Sequence, residues 1–218
     1  MPCLDEAATV AHCVAAARSF LRSCDVAGEI LVIDNGSSDG SGSLAHAAGA
    51  RVVDAEPQGY GIAVQHGIAA ARGRYVIMGD ADSSYDFTAL EPFLSRLRGG
   101  VDVVIGSRLR GQILPGAMPP LHRWLGNPLL TAAANLRFGT HLSDYHSGLR
   151  GFQRQAILDL NLSATGMEWA TEMIGRAAQR GLEIAEVPIC YAPDGRNGRS
   201  HLKPLRDGWR HLNLILSA

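Results

Sequence analysis

Two periodicities alternate along this chain. Val10, Cys13, Val14, Ala17, Phe20 and Leu21 recur at intervals of three and four, the spacing of one helix face, and residues 29–33 then form a short apolar run of the buried-strand type. A short helix at 44–48, stopped by Gly49, leads to a strand at 51–53. Gln58-Gly59-Tyr60-Gly61 opens a helix over 62–71, closed by Gly73 before a strand at 75–78. A helix over 89–97 and the Gly99-Gly100 stop precede a fourth strand at 101–105. This βαβ succession predicts an α/β fold with a mostly parallel central sheet flanked by helices. Beyond Gly106 the alternation breaks into a Gly- and Pro-rich loop at 111–120 and an apolar, helix-like stretch at 121–138. Helices at 156–160 and 167–180, a strand at 184–189 and a polar loop at 193–200 follow.

Both ends read as cut. Pro2-Cys3-Leu4-Asp5-Glu6 has the pattern of a strand-to-helix corner with Asp5 capping the first helix, yet no strand stands before it, so the first strand of the sheet is expected to be missing. At the other end Leu212-Asn213-Leu214-Ile215-Leu216 is apolar and stops abruptly. The division expected is a catalytic domain over 1–202 and an amphipathic, juxtamembrane segment over 203–218.

Composition narrows the picture. With 218 residues, 46% of them hydrophobic, the chain can bury the core of one large domain. A net charge of −1 argues against general nucleic-acid binding, and four cysteines without paired spacing suit a reducing, cytoplasmic setting. Lys203 is the only lysine among 20 basic residues. Between residues 193 and 211, Arg196, Arg199, Lys203, Arg206 and Arg210 face only Asp194 and Asp207, a local excess that fits an anionic ligand or a membrane surface. No apolar run approaches the ~18 residues of a membrane span.

The candidate chemistry lies at strand ends. In Tyr75-Val76-Ile77-Met78-Gly79-Asp80-Ala81-Asp82, residues 80 and 82 point to one side of an extended segment, where their carboxylates can converge on a hard divalent cation bridging diphosphate oxygens. Asp34, ending the 29–33 strand before Asn35-Gly36-Ser37-Ser38-Asp39-Gly40, is placed to accept hydrogen bonds from a nucleobase or ribose, while Asp39 reads as a helix cap. Glu168 and Glu172 share a helix face, and a solvated face and a site role stand level for them. His146 reads more readily as a packing or surface group than as a ligand.

Pro2 to Glu6, Asp34 to Gly40, Gly79-Asp80-Ala81-Asp82, Gly106-Ser107-Arg108 and Asp144-x-x-Ser147-Gly148-Leu149-Arg150-Gly151-Phe152, in this order, resemble family 2 glycosyltransferases, particularly the branch of dolichol-phosphate mannosyltransferase and bacterial polyprenol-phosphate sugar synthases. The resemblance implies a GT-A fold, a nucleotide-sugar donor, Mg or Mn, and a polyprenyl phosphate acceptor at the inner face of the cell membrane. It puts Pro2, Cys3, Leu4, Asp5, Glu6 and Asp34 on the nucleotide, Asp80 near ribose and metal, Asp82 on the metal, and Arg108 and Arg150 on phosphate. Asp144, beside Arg150, joins the catalytic set; Gly59, Gly61, Ala81 and Ser147 join the binding set. Glu186-Val187-Pro188 resembles a late Glu-x-Pro strand, and the loop with Arg196, Arg199 and His201 would close over the acceptor phosphate. The chain has Asp5 where the family often has Asn, Tyr60 and His201 where it has Lys, and Ser84 where it has Gln.

A phosphate acceptor is already ionised, so the expected reaction is a single inverting displacement without a general base; a hydroxyl acceptor would need one, with Asp144, Glu168 or Glu172 as candidates. A nucleotidyltransferase shares such a sheet, but the Gly-rich basic loop it needs at the N-terminus is not seen. A catalytically impaired fragment that only binds nucleotide-sugar is the reading from a different class.

Overall fold

The computed structural model describes residues 1–196 and 204–217. In chain order its elements are β1 (Pro2–Cys3), α1 (Val10–Ser23), β2 (Leu31–Asp34), α2 (Ser41–Ala47), β3 (Arg51–Asp54), α3 (Tyr60–Ala70), β4 (Tyr75–Met78), α4 (Glu91–Arg98) and β5 (Val103–Ile113). A π-helical turn (His122–Gly126), α5 (Asn127–Phe138), β6 (Arg150–Gln153), α6 (Arg154–Leu158), α7 (Trp169–Gln179), β7 (Ile184–Tyr191) and α8 (Pro204–Ser217) complete them.

The strands form two sheets. β1, β2 and β3 lie side by side and parallel, and a second sheet has the order β4-β6-β5-β7. β5 and β7 are parallel, but β6 runs antiparallel between β4 and β5. Successive residues of β5 face opposite ways: Val104 packs with Phe93, Leu97 and Leu149, whereas Val103 and Ile105 pack with Phe152, Trp169 and Met173. That alternation is the two-residue period of a strand covered on both faces. Pro188 is tolerated because β7 is an edge strand.

The opening corner departs from expectation. Pro2–Cys3, read from sequence as a corner with no strand before it, is itself a short strand: it pairs with Ile33 and Asp34, and the Met1 amino group donates to Leu31 O at 2.8 Å. Nor does Asp5 cap α1, which begins only at Val10. Asp5 takes a left-handed turn (φ 53°) and its carboxylate accepts the Ser38 amide at 2.8 Å. β5 also runs past the expected 105 to Ile113, shifting register against β7 between Ser107 and Gln112. Gly111 permits this, since a Cβ there would collide with the Ile189 backbone.

Candidate functional site

The carboxyl ends of the strands are stitched together by polar loops. The Glu6 amide donates to Ser41 Oγ at 2.7 Å, the Ala7 amide to Asp39 Oδ2 at 2.9 Å, and the Asp5 amide to Ser37 Oγ at 3.0 Å. Asn35 is buried and bridges onward, donating to Ala55 O at 2.7 Å and accepting the Gly59 amide at 2.7 Å. Asp34 accepts the Ser37 amide and borders a cleft of about 460 Å³ with Ser37, Gly40, Gly42, Ser43, His46 and Asp54; neither Asp80 nor Asp82 lies in its wall. The cap position of α2 is Gly40 and not Asp39 as expected; Asp39 lies one residue further out, where its carboxylate accepts the Ser41 amide at 3.0 Å.

Asp80 and Asp82 follow β4, with Ala81 buried between them. Burial and the neighbouring Asp82 push the Asp80 carboxyl up, against the Tyr60 hydroxyl hydrogen-bonded to it. Tyr60 thus supplies a neutral donor where the family often has a lysine. Asp82 Oδ1 accepts the amide and hydroxyl of Ser84 at 3.0 and 2.5 Å. Its Oδ2 pairs with Arg196 at 2.7 Å, and the same guanidinium reaches Glu6 at 3.1 Å. Burial drives Glu6 up to about 7; Arg196 opposes this, while Asp82 and Asp80 add to it. Arg196 therefore stands on the carboxylates.

These are oxygen donors of the kind Mg or Mn prefers. Among the described residues, however, no group of three or more His, Cys, Asp or Glu is arranged to hold a metal ion. The carboxylates fit an ion that completes its shell with diphosphate oxygens, the usual way magnesium is held beside a nucleotide.

The Asp144 to Arg150 loop packs directly on this cluster. A Cβ on Gly148 would strike Asp80 Oδ2, and the Gly148 amide donates to the Tyr85 hydroxyl at 2.8 Å. Asp144 is fully buried and grips Arg108 through two side-chain bonds of 2.7 and 2.8 Å and the Arg108 amide at 3.1 Å. Burial alone would raise the Asp144 carboxyl, but the Arg108 charge and hydrogen bonds bring it below its ordinary value. Arg108 also lies over the Tyr191 ring, 5.2 Å from its centre.

Glu186 holds this pair from behind. Its Oε1 accepts the Ser143 amide at 2.9 Å, the Ser143 hydroxyl at 2.8 Å and the Asp144 amide at 3.1 Å. The Glu-x-Pro pattern drew attention to it; the sequence gives no sign of its partner.

Other candidates turn inward. Arg150, expected on phosphate, is fully buried and gives its donors to Ser147 O, Tyr145 O and Ala170 O at 2.6–2.8 Å, which makes it a strut under the loop. Ser147 is fully buried too. Glu172 accepts the amides of Ser163 and Ala164 at 2.8–3.1 Å and is spent on that loop; Glu168 Oε1 accepts the Gly166 amide at 3.1 Å, while its Oε2 faces Arg210 at 3.7 Å without a hydrogen-bond partner among the described residues. The loop that Glu172 fixes presses on α3, where the Gly61 amide donates to Thr165 O at 3.0 Å. Gly59 and Gly61 have no room for a Cβ against Thr165 O and Ala164 O, a packing role beside the binding role expected. Arg199 and His201 lie outside the described residues.

Comparison with known proteins decides the family. The profile described as glycosyl transferase family 2 matches residues 1–160. The chain belongs to that family. It is 44% identical over 217 residues to the low-salt glycan biosynthesis hexosyltransferase Agl6 of Haloferax volcanii, covering 99% of this chain but about half (52%) of that relative's length. A dolichyl-phosphate hexose transferase of the same organism is 36% identical over 190 residues, covering 86% of this chain and 79% of that one. The fold matches glucosyl-3-phosphoglycerate synthase of Mycobacterium tuberculosis in complex with Mn2+ and UDP-glucose (TM-score 0.72, 25% identity, 99% of this chain and 75% of that one). The fold is therefore GT-A, as the sequence resemblance implied.

Proposed function

We propose that residues 1–202 form the catalytic domain of an inverting hexosyltransferase. It would move a hexose from a UDP- or GDP-sugar to a polyprenyl phosphate at the cytoplasmic face of a membrane, with Mg or Mn on Asp80 and Asp82. One observation carries this reading: Asp144, the carboxylate nearest Arg108, is spent on fixing that guanidinium, so the pair offers a held positive charge and not a free carboxylate. Such a site suits an acceptor phosphate, whose oxygen attacks the anomeric carbon as the bond to the nucleoside diphosphate breaks, with no proton to remove. A bound divalent ion would offset the charge of the departing diphosphate. The Mn2+ and UDP-glucose of the structural neighbour support a UDP-hexose donor, and the dolichyl-phosphate hexose transferase supports the acceptor.

The membrane side of the reading rests on one face. Leu121, just before the π-helical turn, Trp124 and Leu125 within it, and Leu129 and Leu136 on α5 are all more than half exposed; Arg123 and Arg137 stand next to them in the chain. α8, the described part of the segment read as juxtamembrane, packs on α5 and exposes Trp209 and Leu216. Apolar and aromatic side chains mixed with arginine suit the boundary of an anionic bilayer. Among the described residues no helix is long and apolar enough to cross a membrane. Four free cysteines suit the cytoplasmic side.

Labelled UDP-glucose and GDP-mannose, offered with Mn2+ and dolichyl phosphate in vesicles, test the reading. Label passing into the lipid fraction is expected, falling about 100-fold in Arg108→Lys, where the bidentate grip is lost. Donor binding without labelled lipid, or transfer only to a hydroxyl compound, would contradict the acceptor assignment.

A further inference from the structure

The segment after β7 lies across the loop that carries the metal carboxylates. The Ala192 amide donates to Ser84 O at 3.0 Å and the Gly195 amide to Asp82 O at 2.7 Å. Gly195 allows the close approach, since a Cβ there would meet Thr9 Cγ2 at 2.8 Å. These two bonds deliver Arg196 into the carboxylate cluster, where its side chain is only 14% exposed and contacts Asp82 Oδ2 at 2.7 Å, Glu6 Oε1 at 3.1 Å and Asp194 Oδ2 at 3.4 Å. Ser84 already occupies Asp82 Oδ1, so both oxygens of that carboxylate are engaged. The Arg196 Nε is buried with no hydrogen-bond partner among the described residues. Charge holds this guanidinium, and among the described residues its Nε is left unmatched.

We infer that Arg196 is the resident cation of the donor site in the ligand-free protein, and that a divalent ion reaches Asp82 by displacing it, which makes metal binding conditional on the nucleotide diphosphate. The inference rests on the donor-site reading above and adds an order of events to it. A free ion would have to break the Asp82 pair for too few protein ligands to complete its shell. An ion carried by a diphosphate brings the missing oxygens, and the same diphosphate gives the released guanidinium fork a new anionic partner. Arg196 would thereby keep the site from filling with metal alone.

Titration of the full chain with Mn2+ at pH 8, followed by the electron paramagnetic resonance of the free ion, with and without UDP, reads this directly. Wild type is expected to bind Mn2+ weakly alone and well with UDP. Arg196→Gln should bind Mn2+ alone about tenfold more tightly, the effect of one lost charged hydrogen bond, while Arg196→Lys stays near wild type. Equal affinity of wild type and Arg196→Gln for Mn2+ alone overturns the inference. A second measurement needs no Arg196→Gln variant: in the 15N spectrum of arginine side chains, the wild-type Arg196 signal should move on adding Mg2+ with UDP and stay put with Mg2+ alone. A signal unmoved with Mg2+ and UDP bound also overturns it. Asp82→Asn separates the two levels. If Mn2+ with UDP binds that variant as it binds wild type, the donor-site reading fails and the Arg196 role with it; if Asp82 matters and Arg196→Gln changes nothing, only the Arg196 role fails.

Discussion

At the scale of single residues, the site is a set of charges each held by a named partner. Asp144 and Arg108 are the most buried pair, and removing one member leaves the other charge uncompensated. Asp144→Asn is expected to cost about 3 kcal/mol in urea unfolding. Because the folded Asp144 value lies below the ordinary one, its contribution is complete above the unfolded carboxylate range and disappears as pH falls through the folded value. The wild-type advantage over Asp144→Asn should therefore shrink in strong acid. Gly61→Ala should cost about 1–3 kcal/mol, since its Cβ meets the backbone of Ala164, which cannot swing aside as a side chain would. That Asp80 and Asp82 follow a strand was legible in the sequence, because the apolar run of β4 leads straight into Asp-x-Asp. Arg150 was misread because a motif gives residue order, and only the packed loop shows that its guanidinium turns to three carbonyls. Glu186 and Tyr60 went unassigned for a related reason: their partners are distant in sequence.

At the scale of elements, hydrophobic period located most helices, whereas β6 escaped it. Arg150-Gly151-Phe152-Gln153 is too short and too mixed to show a strand period, and it is extended because β4 and β5 pair with it on both sides. The apolar stretch over 121–138 was recognised as helical, but the π-helical turn that opens it was not, and its exposed face emerged only from the packing. Trp124→Glu combined with Leu129→Glu should reduce cosedimentation with anionic vesicles several-fold while shifting stability by less than about 0.5 kcal/mol, as expected of exposed positions. α8 docks through Asp207, His211 and Ile215, with His211 Nδ1 2.7 Å from the Thr171 hydroxyl and its ring edge-on to His146 at 4.7 Å. Burial lowers His211 to about 4, partly opposed by Glu168 and Asp207 and reinforced by Arg150. The folded value is depressed, so the docked neutral ring is fully favourable above about 6.5, and its contribution falls as pH drops toward 4, by up to about 3 kcal/mol. His211→Gln should flatten the pH dependence of unfolding across that window; an unchanged slope would show that His211 is not the titrating group.

For the whole molecule, the two sheets bring the corner at residues 2–6, a carboxylate cluster and an arginine held by Asp144 to one end of the fold, beside helices that expose an apolar face. The alternation of strands and helices made this architecture legible in advance. What it could not convey was that Arg196, far along the chain, returns to Asp82 across 114 positions. The central claim is that Asp80 and Asp82 form a metal-dependent donor site, and calorimetric titration of the chain with UDP-glucose and GDP-mannose, with and without Mn2+, tests it most directly. Saturable binding of one donor that requires Mn2+ and is lost in Asp82→Asn is the expected result; binding that is indifferent to Mn2+ and to Asp82, or no binding of either donor by the folded chain, would contradict it.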